Sequence, residues 1–327
     1  IYKGVSSIEK VNKILIPVLL GIVILSVLRA VSLPGSFEGI TYLFTPDWSQ
    51  LKRPGIWVDA LAQNAFDTGA GFGLFLTYAI YIRKRYGVVK NAFTTAIGNN
   101  IVSLMAAIMI FSTVFSILGN EMGMNKTEIL EIMKTSGPAA TGLTFIWMPQ
   151  LFAKMALGKP LAILFFLGLS FAGFSSLISM LELAVRNLID FGVKRSSAVM
   201  WIVGASFIMG IPSAMSLEIL GDQDFVWSVG LIISGVLMAI AAIKYGLSRM
   251  IKEVTAESQG DWAFPRLWPI TIKFIAPFVG IVLVGWWMIE SPSFFLTCLV
   301  QWGLVLVIFF LINDYMNKRI TENLDAF

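Results

Sequence analysis

The stretch QNAFDTGAGFG, residues 63–73, places two amides, a carboxylate, a hydroxyl and three glycines inside an apolar run from about residue 56 to 82. An ionised carboxylate in mid-membrane costs at least ~2.5 kcal/mol, and each glycine weakens a helix by roughly 1 kcal/mol against alanine. Nothing structural is gained by breaking a helix there, so the break points to a ligand. Two more apolar runs carry polar groups at depth. TTAIGNNIVS supplies Thr94, Thr95, Asn99, Asn100 and Ser103, and FAGFSSLISMLE supplies Gly173, Ser175, Ser176, Ser179 and Glu182. Carboxylate, amide and hydroxyl oxygens, with the carbonyls freed at a helix break, suit a hard monovalent cation, and the freed N–H groups suit an anionic substrate group. Asn99 and Ser103 are four apart and share a helix face. Interhelical hydrogen bonding explains that pair equally well, and small-residue pairs such as those in GFSS also serve as packing devices. A mid-span acid such as Asp67 reads as functional.

Other chemistries are excluded. The chain has no histidine and one cysteine, Cys298, which removes disulfides and Cys/His metal sites. DTG at 67–69 imitates an aspartic-protease loop, but no second D-[ST]-G supplies the partner carboxylate. GAGFG neither follows a strand nor opens a βαβ unit, so it is no dinucleotide turn. No motif places a nucleophile beside a base, and no organic cofactor is expected. The net charge of +4 is small and lies in short loops, which argues for topology and against nucleic-acid binding.

These groups have to be positioned by membrane helices. Of the 327 residues 57% are hydrophobic and only 13% charged, about half the charged share of a soluble domain. Apolar runs of bilayer length predict an all-α polytopic membrane protein, one transmembrane domain over residues 1–327. Eight spans are expected near 13–32, 57–82, 92–118, 160–186, 197–215, 225–245, 268–288 and 294–314. Seventeen of the 24 lysines and arginines fall on one set of ends, Arg83, Lys84 and Arg85 among them. The positive-inside rule puts that side, with both termini, in the cytoplasm, and the expected location is the plasma membrane (the inner membrane of a bacterium). The outer segment 119–159 is expected to hold two short helices. The first is capped by Asn125 with Glu128 and stops at Ser136-Gly137-Pro138. Packing as a lid on the outer mouth and lying in the interface without a gating role are both open. Residues 315–327 read as a cytoplasmic tail.

At QNAFDTGAGFGLFLTYAIYIRKRYG the chain resembles the neurotransmitter:sodium symporter family, in its bacterial-type amino acid transporters, at the unwound sixth helix. LFTPDWSQLKRPGIWVDALAQ is similar to the outer loop before that helix, AIGNN to the seventh helix, and SGPAATGLTFIWMP to the outer lid. FAGFSSLISM is similar to the eighth helix and GDQDF to the outer end of the tenth. The resemblance implies helices five to twelve of an inverted-repeat fold with a broken sixth helix, the first four helices lying outside this chain and acting as its partners within the bilayer. It implies two Na⁺ sites, one with Ala172, Ser175 and Ser176, the other with Asp67 and Asn99. Phe66, Asp67, Gly69, Phe72, Ser176 and Met180 would form the substrate pocket, with Phe66 as its lid. Asp224 would be the outer-gate acid, and Tyr81 and Asp190 stand at inner-gate positions.

One position departs from the pattern. Where chloride-dependent members hold the anion with Gln63, a Ser or Thr, Asn99 and Ser103, this chain has Asp67 in place of the hydroxyl. Two Na⁺ nearby would favour the ionised carboxylate, so chloride-independent transport is expected. The implied function is sodium-driven import of a small neutral amino acid by alternating access around a midplane site. The other readings are an amine or small-solute symporter and a non-transporting sensor or truncated remnant. Lacking the first helix, the chain alone is expected to be inert.

Overall fold

The computed structural model describes residues 5–74, 87–134, 141–155, 157–257, 260–290 and 292–324. Among these every regular element is helical. In chain order they are α1 (Val5–Val31), α2 (Ser36–Leu43), α3 (Pro54–Thr68), α4 (Val88–Val114), α5 (Lys126–Lys134) and α6 (Thr141–Ala153). After these come α7 (Gly158–Asp190), α8 (Arg195–Met215), α9 (Leu217–Tyr245), α10 (Leu247–Glu257), α11 (Ala276–Glu290) and α12 (Pro292–Leu324). Two π-helical turns interrupt the regular geometry. Phe115–Glu121 continues α4 past Val114, and Thr271–Ile275 leads into α11.

Seven helices among the described residues are long and apolar enough to cross a bilayer. They match seven of the eight expected spans, and the protein is a multi-pass membrane protein. The longest, Val88–Glu121, has 34 residues and is about 50 Å long at 1.5 Å per residue, so its ends pass beyond the ~30 Å hydrocarbon core. The eighth stretch, 57–82, is described only to Leu74: α3 stops at Thr68 and a glycine turn follows. The Ser136-Gly137-Pro138 stop lies outside the described residues. Helix α12 continues to Leu324, through most of the segment expected as a tail. The capping box that Asn125 and Glu128 predict is formed: the Thr127 and Glu128 N–H groups donate to Asn125 Oδ1, and the Asn125 N–H donates to Glu128 Oε2 at 2.8 Å.

The chain divides into two compact units: Ile1–Trp48 with Asn99–Ser179 and Ser213–Gly221, and Ser49–Gly98 with Met180–Pro212 and Asp222–Phe327. In the first, Ile22, Ala30, Met109, Met148, Phe152 and Phe165 form one buried cluster, and Phe115, Ile129 and Trp147 anchor a second. In the second unit Val58, Val226, Val229, Val284, Trp287 and Cys298 form the core between α3, α9, α11 and α12. Large apolar side chains stand exposed on α8 and α12, with Phe207 and Phe310 each 73% accessible. In water each such side chain would forgo ~1.5–3 kcal/mol of burial, and in a bilayer the lipid covers them.

Candidate functional site

The second unit holds α3 and its glycine turn. Pro54 starts α3 without wasting an N–H, and Gly69 closes it in the left-handed region at φ 71°. Gly71 and Gly73 follow at φ 81° and 79°, so three of five successive residues hold a conformation that side chains resist. Gly71 also presses on α9. A Cβ built on it would stand 2.5 Å from the Leu231 carbonyl oxygen, and Ser234 Oγ donates to the Gly71 carbonyl at 2.7 Å. The turn is therefore pinned to a membrane-spanning helix.

At the end of α3, Gln63 Nε2 donates to Asp67 Oδ1 at 3.0 Å, one turn apart. Thr68 Oγ1 donates to the Asn64 carbonyl at 2.6 Å and accepts the Ala70 N–H. Phe66 and Phe72 meet edge to face, with ring centroids 5.3 Å apart. Asp67 thus lies in the last turn of a helix, where unsatisfied carbonyls already concentrate negative potential.

In the first unit Asn99 and Ser103 share a face of α4, and Asn99 lines a cavity of about 470 Å³ among α1, α4, α6 and α7. On α7, Ala172, Ser175 and Ser176 stand at i, i+3 and i+4, which places two hydroxyls and a methyl on adjoining parts of one face. Ser179 Oγ donates to the Ser175 carbonyl at 2.9 Å. Met180 follows on α7, 42% exposed.

Of the gate positions, Asp224 is exposed near the start of α9, and its backbone carbonyl accepts the Ser228 hydroxyl. Asp190 pairs with Arg186 one turn back at 3.0 Å. Tyr81 lies outside the described residues. Two features escaped the sequence reading. Arg195, at the start of α8, grips Glu182 through two nitrogens at 2.9 and 2.7 Å, and Glu182 is 3% exposed. The other is Ser234, a lone hydroxyl in an apolar helix. A buried acid a few residues before a helix end, facing a basic residue that opens the next helix, was the available signal for the first.

The model of the sodium:neurotransmitter symporter family matches residues 1–317. The chain belongs to the sodium:neurotransmitter symporter family. An uncharacterised sodium-dependent transporter of Methanocaldococcus jannaschii is 35% identical over 240 residues, 73% of this chain and 46% of that protein. An uncharacterised sodium-dependent transporter of Bacillus subtilis is 29% identical over 84% of this chain and 60% of its own length. The sodium-dependent serotonin transporter of Drosophila melanogaster is 32% identical over 65% of this chain and 34% of that protein. The chain thus spans about half the length of the relatives it matches. Among solved structures, MhsT in complex with L-phenylalanine superposes with a TM-score of 0.73 at 30% identity, over 86% of this chain and 63% of that one. Symporters of the sodium:neurotransmitter family are transporters, not enzymes.

Proposed function

We propose that this chain carries the second half of a sodium-coupled symporter that imports a neutral amino acid by alternating access. The observation that carries the reading is Asp67 at the carbonyl end of α3, beside a glycine turn pinned to α9. Two sources of negative potential meet there: the carboxylate and the helix end with its freed carbonyls. The α7 hydroxyls support one Na⁺ position with Ala172, Ser175 and Ser176, and the family resemblance assigns the other to Asp67 and Asn99. In this reading the chain past Gly73 resumes as the second half of a broken sixth helix, and helices one to four complete both ion sites.

Na⁺ is cargo here. It offsets the Asp67 charge, and the bound amino acid lets Phe66 close over the pocket against Phe72. Asp224 and the α5–α6 segment serve the outer gate, Asp190 and Tyr81 the inner one. Asp67 takes the place of chloride. The basic ends of the helices face the cytoplasm, and the membrane is the plasma membrane. L-phenylalanine in MhsT supports a neutral amino acid, while the serotonin transporter among the relatives supports an amine as the second reading.

The test is uptake driven by a sodium gradient into proteoliposomes holding the complete gene product, with neutral amino acids and biogenic amines in parallel. Sodium-dependent accumulation of an amino acid is expected. Accumulation of amines alone replaces the substrate class, and no accumulation of either by folded protein overturns the symporter reading.

A further inference from the structure

We propose that the groove between α2 and the start of α5 is a headgroup site for a phospholipid with a phosphoethanolamine head. Lys126 pairs with the phosphate, and Glu38 accepts hydrogen bonds from the ammonium. The inference does not rest on the transport reading.

The position of α2 sets the depth of the groove. The apolar run of α1, Lys13–Val31, has 19 residues and covers about 28 Å at 1.5 Å per residue, the thickness of the hydrocarbon core. Val31 therefore marks the edge of the core, and α2 begins five residues later at Ser36. A Cβ on Gly39 would stand 2.3 Å from the Phe111 carbonyl oxygen, so α2 lies backbone to backbone against α4 at that level. Tyr42 and Trp48 belong to the residue types that collect at the headgroup layer. Phe37 and Phe44 are 73% and 57% exposed, and at this depth glycerol and the first methylenes of lipid cover them.

The lining selects the headgroup. The groove has a volume of about 390 Å³, and Phe37, Glu38, Tyr42, Phe115 and Lys126 line it. Tyr42 stacks on Phe111 and Phe115, with ring centroids 5.9 and 5.7 Å away. This platform holds Lys126 Nζ 4.9 Å from the Tyr42 centroid, an attraction that positions the ammonium without neutralising it. Glu38 and Lys126 are both exposed, and among the described residues neither has a counter-ion. An anion alone would meet Glu38 and a cation alone would meet Lys126, so the groove suits a ligand that carries both charges. A phosphoethanolamine head carries them, is delivered at this depth by the bilayer, and has a primary ammonium that can donate to a carboxylate. Bound there it ties α5 to α2. A free amino acid carries the same two charges, and the test separates the two sources.

Residue-resolved photolabelling tests this with the complete gene product in phosphatidylcholine vesicles. The vesicles are doped in turn with phosphatidylethanolamine, phosphatidylcholine or phosphatidylglycerol carrying a diazirine beside one acyl ester. Labelling of Phe37 and Thr41 is read relative to Trp48, which is 72% exposed and outside the groove lining. The ethanolamine lipid should give a ratio about three-fold above the other two, the scale of one exposed ion pair. Glu38→Gln should erase that preference, and Lys126→Gln should lower the ratio for all three lipids. Both side chains are exposed, so the variants are expected to fold, and the headgroup comparison in the wild type needs no variant. Equal ratios for the three lipids in the wild type, or a preference that survives Glu38→Gln, overturns the site. Excess L-phenylalanine should leave the ratio unchanged, and displacement of the ethanolamine lipid by it overturns the lipid as occupant.

Discussion

Asp67 is the residue on which most of the chemistry turns. A carboxylate in the last turn of a helix opposes the dipole by ~0.3–1 kcal/mol, and Gln63 Nε2 donates to it at 3.0 Å. In the proposed reading a Na⁺ offsets this charge and no anion is needed. Uptake by the wild type is expected to be unchanged when gluconate replaces chloride. Asp67→Ser should lose at least about ten-fold in gluconate, the scale of one charge-assisted interaction, and regain part of it in chloride. Chloride stimulation of the wild type would sink the assignment. The Glu182–Arg195 pair is a second residue-scale device, with side-chain exposures of 4% and 37%. Arg195→Ala strands a buried carboxylate, and with the solvent access of Arg195 discounted the expected loss is about 2–3 kcal/mol. Thermal unfolding in detergent should show it, and the Glu182→Leu/Arg195→Leu double variant should recover most of it. A double variant as unstable as the single would show that packing, not the stranded charge, is responsible.

At the scale of elements, the glycine turn is held by α9 as well as by its own conformational freedom. Gly71→Ala combines a left-handed backbone, ~1–2 kcal/mol, with a clash against the Leu231 carbonyl, for a total of at least about 3 kcal/mol. Ser234→Ala removes one hydrogen bond, about 1 kcal/mol. Because both act on one contact, the double variant should lose less than the sum, and additive midpoints in a thermal melt would separate the two. A second clasp lies at the start of α4. The Asp261 carboxylate accepts the N–H groups of Val89 and Lys90 at 2.8 and 2.9 Å, and its own neighbour Trp262 at 2.7 Å. Burial alone pushes the Asp261 carboxyl up, but these backbone donors together hold it below the usual carboxylate range. A depressed folded value means that the clasp is fully present above about pH 4, the unfolded value, and is lost as pH falls through the folded one. Amide exchange at Val88–Lys90, corrected for intrinsic rates, should accelerate on acidification below about pH 4 and be insensitive to pH in Asp261→Ala. Clasp and turn differ in how far sequence revealed them. Three glycines beside an acid mark a break because each residue type disfavours a membrane helix. Ser234 and Asp261 act on residues more than 160 positions away, so nothing local marks them. The π-helical turns at 115–121 and 271–275 change a hydrogen-bond register without a residue signature, whereas Asn125 and Glu128 announced their capping box because both partners lie within one turn.

For the whole molecule the bilayer dictates most of what sequence revealed, since apolar runs of ~20 residues are imposed by hydrocarbon thickness and survive any uncertainty about packing. Seven such helices were legible, while surplus lengths such as the start of α9 at Leu217, eight residues before the expected 225, and the extension of α4 past Val114 were not, because interfacial turns carry ordinary composition. The proposed orientation rests on charge. Lysines and arginines are costly to translocate, and the sequence reading puts the basic cluster at 244–252 on the side opposite the Asn125-Lys126-Thr127 segment. The native thiol helps to test this: Cys298 is fully buried, and burial leaves it shielded from a bulky reagent. Lys126 and Lys252 are both exposed, so cysteines introduced there report sidedness without interference. In sealed right-side-out vesicles Lys126→Cys should react with a membrane-impermeant maleimide and Lys252→Cys should react only after permeabilisation. The reverse pattern would invert the chain in the membrane, and with it the assignment of Asp224 to the outer gate and Asp190 to the inner one.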